Sequence, residues 1–222
     1  MTACVVPLKN LTYAKQRLAG LLQPDERRRI CIAMLFDVIG GLRKVPEIED
    51  IHVLTPDPEV ERSVRTRYPD VKIMPDPGTG GLNNALTNAV RTLKQEGVSR
   101  LLIIPADLPM LDPDDISSIL KSTRGIAMGI AHDEAGEGTN LLFLSPPSIM
   151  DPRFGPRSFA EHVAQARRMG ISCRIFSAPS LLCDVDEPRD VRVLLSHGTG
   201  TEACCNLVEL RIDERMSSPA SR

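Results

Sequence analysis

The side chains best suited to chemistry in this chain are carboxylates and cations placed where short apolar runs end. Asp107 follows Leu101-Leu102-Ile103-Ile104 and lies between Pro105 and Pro109. A carboxylate at the end of a buried strand is well placed to hold Mg2+ against phosphate oxygens. The plainer alternative is an aspartate that caps a turn before proline. Asp184-Val185-Asp186-Glu187-Pro188 offers a second oxygen site, since carboxylates one residue apart on a strand point to the same side. Asp184 and Asp186 are therefore candidate metal ligands alongside Asp107. Glu187 and Asp190 can simply serve the N-terminus of the helix that follows.

Cations gather in the segment 7–18, where Pro7 opens a stretch holding Lys9, Lys15 and Arg17. Such a loop after a first strand can wrap a triphosphate with backbone N–H groups and cationic side chains. It lacks the spacing of a Walker A loop, and a solvated basic loop is the competing reading. Two further segments suit a second anion. Gly138-Thr139-Asn140 presents a hydroxyl and backbone amides before a strand, and Phe154-Gly155-Pro156-Arg157-Ser158 leads into a helix N-terminus, a ready anion site. Ser158 as a simple helix cap fits that segment equally well. His162 lies on the apolar face of the same helix, where a packed histidine is the ordinary expectation.

These groups need a scaffold that brings them to one edge. Short apolar runs (3–6, 51–55, 71–74, 101–104, 126–131, 140–144, 172–176 and 181–185) read as strands. Helical patterns (27–42, 57–67, 84–96, from 112, 158–169 and 188–195) alternate with them. The alternation predicts a single three-layer α/β/α domain over 1–195 with a mostly parallel wound sheet. In that architecture ligands bind beyond the carboxyl ends of the strands. The run 101–104 is apolar throughout and is expected to be central. Residues 196–222 read as a weakly patterned tail, partly disordered, with its last ten residues expected to be disordered.

Composition sets the outer limits. A net charge of −2 gives no footprint for nucleic acid. No apolar run approaches a membrane span, and Met1–Asn10 lacks the basic leader of a signal peptide. The expectation is a cytoplasmic protein without membrane or nucleic-acid partners. The six cysteines show no Cys-x-x-Cys pair and read as plain thiols.

The ordered set of motifs resembles the guanylyltransferases of deazaflavin coenzyme (coenzyme F-420) biosynthesis, within the glycosyltransferase-A-like nucleotidyltransferases. The resemblance runs from about Val5 to Leu195. It is carried by Val6-Pro7-Leu8-Lys9 with Ala14-Lys15-Gln16-Arg17-Leu18, Gly81-Leu82-Asn83-Asn84-Ala85-Leu86 and Pro105-Ala106-Asp107-Leu108-Pro109. Gly138-Thr139-Asn140-Leu141-Leu142, Phe154 to Phe159 with His162, and Asp184 to Pro188 complete it.

The resemblance implies GTP as co-substrate and a small phosphorylated acid as acceptor: 2-phospho-L-lactate, phosphoenolpyruvate or 3-phospho-D-glycerate. It implies acceptor binding by Thr139, Gly155 and Ser158, and Mg2+ on Asp107, Asp184 and Asp186. Nucleotide contacts are expected from Pro7, Lys9, Lys15 and Asn83, with Asn84 standing where a smaller residue is usual. Catalysis is expected from Asp107, with Lys15 and Arg17 holding the leaving pyrophosphate. The rivals are a CTP-dependent or molybdenum-cofactor-type nucleotidyltransferase and a phosphate-binding relative without turnover. A labile product motivates transient contact with the next transferase, and a homodimer is left open.

Overall fold

β1 (Thr2–Pro7) is buried along its whole length, and its side chains alternate between two cores. Cys4 and Val6 face one, Ala3 and Val5 the other, as the period of a strand covered on both faces requires. In this computed structural model, which describes residues 1–76 and 80–217, β1 belongs to a seven-stranded sheet. The other strands are β2 (Asp50–Thr55), β3 (Lys72–Pro75), β4 (Arg100–Ile103), β5 (Met128–His132), β6 (Thr139–Leu144) and β7 (Cys173–Phe176). Their order is β3-β2-β1-β4-β6-β5-β7, with β4 in the centre as its apolar run predicts. β6 pairs antiparallel with both β4 and β5, while the other pairings are parallel. Reversing β6 has a functional consequence: its first residues, Thr139 and Asn140, lie at the edge where the parallel strands end.

One core lies under α1 (Pro24–Leu42), α2 (Pro58–Arg67), α4 (Pro113–Ser122) and α6 (Pro188–His197). The other lies under α3 (Gly81–Gln95) and α5 (Ser158–Arg168), completing three layers. α1 starts earlier than the apolar stripe suggests, because Pro24 occupies its first turn and Glu26 accepts a hydrogen bond from the Gln23 N–H. α2 and α4 start as read: Asp57 and Asp112 each accept a backbone N–H two residues on.

Two expectations fail. Residues 181–185 form no strand; Pro179–Leu181 is a 3-10 turn, and the chain then runs irregularly to α6. The apolar residues there, Leu181 and Val185, serve the core as single buried side chains, not as a ladder. The tail is not disordered over 202–217: it forms α7 (Glu202–Glu209) and α8 (Ile212–Ser217). Ala203, Cys204, Leu207 and Ile212 are buried in the first core, and the Asp37 carboxylate of α1 accepts the Glu202 and Ala203 N–H groups. Burial of these few apolar side chains outweighs the polar composition that suggested disorder. The rest of the expected disorder, 218–222, lies outside the described residues.

Candidate active site

The loop after β1 is folded inward by two anchors. Its Leu11 and Leu18 are buried, and the Leu11 N–H donates to Asp57 Oδ2 at 2.9 Å. Between the 3-10 turns Leu11–Tyr13 and Gln16–Leu18, Lys15 takes a left-handed backbone (φ 49°), unusual for a residue with a side chain. From that turn its side chain reaches two carboxylates. Lys15 Nζ donates to Asp107 Oδ2 at 2.7 Å and to Asp186 Oδ1 at 2.6 Å. Burial pulls the Lys15 pKa down, but the charges of Asp107 and Asp186 outweigh it and hold the ammonium well above its ordinary value.

Asp107, Asp184 and Asp186 each bring a carboxylate oxygen within 4.8 Å of the others. Each is fixed by a group outside the trio. The Val185 N–H donates to the Asp107 backbone carbonyl at 3.0 Å, joining the two distant chain segments. Asn140 Nδ2 donates to Asp184 Oδ1 at 3.2 Å and to the Leu181 carbonyl at 2.9 Å. Asp190 accepts the N–H groups of Asp186 and Glu187, turning the chain at the start of α6. Asn140 and Asp190 thus organise the trio. The sequence reading gave Asn140 no part in it and Asp190 only the helix end.

The trio carries more negative charge than Lys15 neutralises. Burial, followed by the charge of Asp107, pushes Asp184 up to about 6. Burial works the same way on Asp186, but the charge and hydrogen bond of Lys15 outweigh it and leave Asp186 below the ordinary range. Asp107 Oδ1 is buried with no hydrogen-bond partner. A buried, unpartnered carboxylate oxygen beside two more carboxylates is the donor set of a hard divalent cation. The residues fit Mg2+.

A cleft of about 700 Å³ opens on this edge, lined by Pro7, Lys9, Lys15, Asp107, Asp184 and Asp186 together with Thr139, Gly155 and Ser158. Ser158 is not the cap of its helix: Arg157 occupies the cap position of α5, and Ser158 Oγ donates to Thr139 Oγ1 at 3.0 Å. The helix end is also less open than expected, because the Ser158 and Phe159 N–H groups donate to the Gly155 and Glu137 carbonyls. Gly155 holds a φ of +136°, which side chains rarely adopt.

Two residues expected at the site stand apart from the cleft lining. Arg17 is exposed and pairs with Glu187 at 3.3 Å. Asn83 spends its amide on the backbone of Phe154, accepting its N–H at 2.7 Å and donating to its carbonyl at 2.9 Å. It braces the 150s loop from α3, while its neighbours Gly81 and Leu82 line the cleft. Cys31 and Met34 of α1 add apolar side chains to the cleft lining.

Known proteins resemble this chain over most of its length. The phosphoenolpyruvate guanylyltransferase of Conexibacter woesei is 38% identical over 195 residues, covering 87% of this chain and 86% of that protein. The 2-phospho-L-lactate guanylyltransferase of Methanothermobacter thermautotrophicus is 34% identical over 221 residues, 100% of this chain and 96% of that protein. Among solved structures, a putative nucleotide-diphospho-sugar transferase from Desulfovibrio desulfuricans superposes with a TM-score of 0.79 at 16% identity, covering 96% of this chain and 97% of that one. A nucleotidyl transferase from Methanothermobacter reaches 0.63 over 89% of this chain and 97% of that one. The family described as "Guanylyl transferase CofC like" matches residues 2–222, so the chain belongs to that family of guanylyltransferases.

Proposed function

We propose that the protein transfers the guanylyl group of GTP to the phosphate of a small phosphorylated carboxylic acid, releasing pyrophosphate, in the synthesis of coenzyme F-420. The observation that carries this reading is the convergence of Asp107, Asp184 and Asp186 in a cleft that Thr139, Gly155 and Ser158 also line. The names of the relatives support phosphoenolpyruvate or 2-phospho-L-lactate as the acceptor, and 3-phospho-D-glycerate shares the same two anionic groups.

A phosphate monoester is largely dianionic near neutral pH, with a second pKa of about 6, so it needs no general base. Its oxygen forms the bond to the α-phosphorus while the bond to the bridging oxygen of the β-phosphate breaks, and that oxygen leaves with the electron pair as pyrophosphate. The obstacle is repulsion between anions. When bound, Mg2+ supplies the positive charge that aligns and neutralises the phosphates. Asp107, Asp184 and Asp186 would hold it. Lys15 bridges two of these carboxylates and can follow charge as it develops on the leaving group, and Lys9 lines the same cleft. Arg17 lies outside the cleft lining with Glu187, so its part is to help hold the loop. Thr139, Ser158 and the Gly155 backbone orient the acceptor.

The labile phosphoanhydride product supports direct hand-over to the transferase that consumes it, which a pull-down with that enzyme would detect. No described helix is long and apolar enough to cross a membrane, and the free cysteines and substrates favour the cytoplasm. The test is pyrophosphate release with Mg2+, GTP, CTP or ATP, and each of the three acids. Release with GTP and at least one acid is expected. Release only with CTP, or none with any pair, sinks the assignment.

A further inference from the structure

His162 is a buried titratable group that the reaction above does not use. It lies on α5 one turn after Ser158, and both ring nitrogens are engaged. The Arg153 backbone N–H donates to Nε2 at 2.8 Å, so Nε2 must carry a lone pair. Burial pushes the ring pKa down to about 4, against its hydrogen bond with the Ser158 backbone and with the charge of Arg153 assisting. The neutral ring therefore carries its proton on Nδ1, which lies 3.1 Å from Thr139 Oγ1.

The consequence reaches the cleft. Thr139 Oγ1 accepts from His162 on one side and from Ser158 Oγ at 3.0 Å on the other, which fills its lone pairs. Its own proton then has to point elsewhere, and Thr139 and Ser158 line the cleft. If the two hydroxyls exchange roles, the free proton moves to Ser158 and the count is unchanged. The other tautomer reverses the outcome. An unprotonated Nδ1 would take the Thr139 proton, Thr139 would take the Ser158 proton, and only lone pairs would face the ligand. We propose that His162 is a positioning residue whose Nδ1–H tautomer, imposed by the Arg153 backbone, makes the Thr139–Ser158 hydroxyl pair a hydrogen-bond donor to an anionic group of the acceptor. The tautomer is built into the fold, because Asn83 clamps Phe154 next to Arg153, and the Phe154 ring packs edge-on against His162 at 5.3 Å.

This inference rests on the reading of Thr139 and Ser158 as the acceptor side, and two variants separate its parts. In His162→Asn the amide nitrogen can stand where Nδ1 stood and donate to Thr139. In His162→Gln the longer side chain reaches the place of Nε2, where its carbonyl can accept the Arg153 N–H, but no N–H is left beside Thr139, so the hydroxyl is no longer held with its proton toward the cleft. The KM for phosphoenolpyruvate is expected to rise about tenfold or more in His162→Gln, the scale of one hydrogen bond to a charged group. In His162→Asn it should stay within about threefold, and the KM for GTP should move less than about twofold in both. Equal changes in both KM values, or equal effects of the two variants, would overturn the proposal. Nitrogen-15 NMR of the wild-type imidazole reads the tautomer without any variant. A pyrrole-type Nδ1 and pyridine-type Nε2 at pH 7 are expected, and the reverse pattern or an imidazolium would overturn the proposal. Absence of turnover by the wild type with every acid is the separate sign that the functional reading itself has failed.

Discussion

Lys15→Met keeps the length of the side chain and removes the ammonium that bridges Asp107 and Asp186. In the wild type the Lys15 side chain is 10% exposed, those of its two partners 26% and 42%. Breaking a fully buried ion pair costs about 3–5 kcal/mol, whereas an exposed pair contributes about 0–1 kcal/mol. The exposure of Asp186 calls for a discount, which puts the loss at about 1–3 kcal/mol in the presence of a chelator. For a domain of this length, at roughly 2–4 °C per kcal/mol, that is a fall in Tm of about 2–12 °C. A divalent cation that binds only the folded trio adds about 2.7 kcal/mol at a hundredfold excess over its Kd. Mg2+ should therefore raise the Tm of the variant more than that of the wild type, where the ion has to share the carboxylates with an ammonium. Turnover should still fall by about 10²–10³, the scale of one preorganised charge. Thermal melts of both proteins in EDTA and in Mg2+ read the stability effect. Equal Tm values in EDTA, or equal gains from Mg2+, would refute the placement of Lys15 among the metal ligands.

Asp107→Asn should lose about 10²–10³ in turnover or more while its circular dichroism stays that of the wild type; normal pyrophosphate release would remove Asp107 from the reaction. Ser158→Ala should raise the KM for the acid more than that for GTP, because its hydroxyl bonds to Thr139 in place of capping α5; equal changes would return it to a purely structural role. The depressed His162 pKa, about 4 against an ordinary 6.5, means that the unfolded chain binds the extra proton first. Its contribution of about 3 kcal/mol is full above pH 6.5 and is lost as pH falls to 4. Urea melts should show this slope in the wild type and not in His162→Asn, and parallel slopes would contradict the burial argument. Ending the chain at Gly200 removes α7, which packs on α1, together with the buried Leu207 and Ile212, and should cost on the order of 5 kcal/mol; an unchanged melting temperature would show that α7 and α8 are dispensable.

The parts that could be read from residue types were those with local signals. Asp57-Pro58 and Asp112-Pro113 mark helix starts because the cap and the first-turn proline act within one turn. The all-apolar 101–104 run gave the central strand. Asp107 and the Asp184/Asp186 pair were legible because they follow apolar runs, even though the second run proved not to be a strand. What stayed hidden depends on tertiary contacts. The amide of Asn83 turns to a loop seventy-one positions away, Asn140 reaches Asp184, and α7 owes its order to Asp37 and the core. The donor polarity of Thr139 depends on a backbone N–H at Arg153, which side-chain identity does not encode.

The central claim is that carboxylates from two distant stretches of chain hold one divalent ion at the edge of the sheet. Titration of Mn2+ into the nucleotide-free protein, followed by electron paramagnetic resonance, addresses it directly. One site per chain is predicted, weakened about tenfold or more in each of Asp107→Asn, Asp184→Asn and Asp186→Asn. Binding as tight in all three variants as in the wild type, or no binding at all, would contradict it.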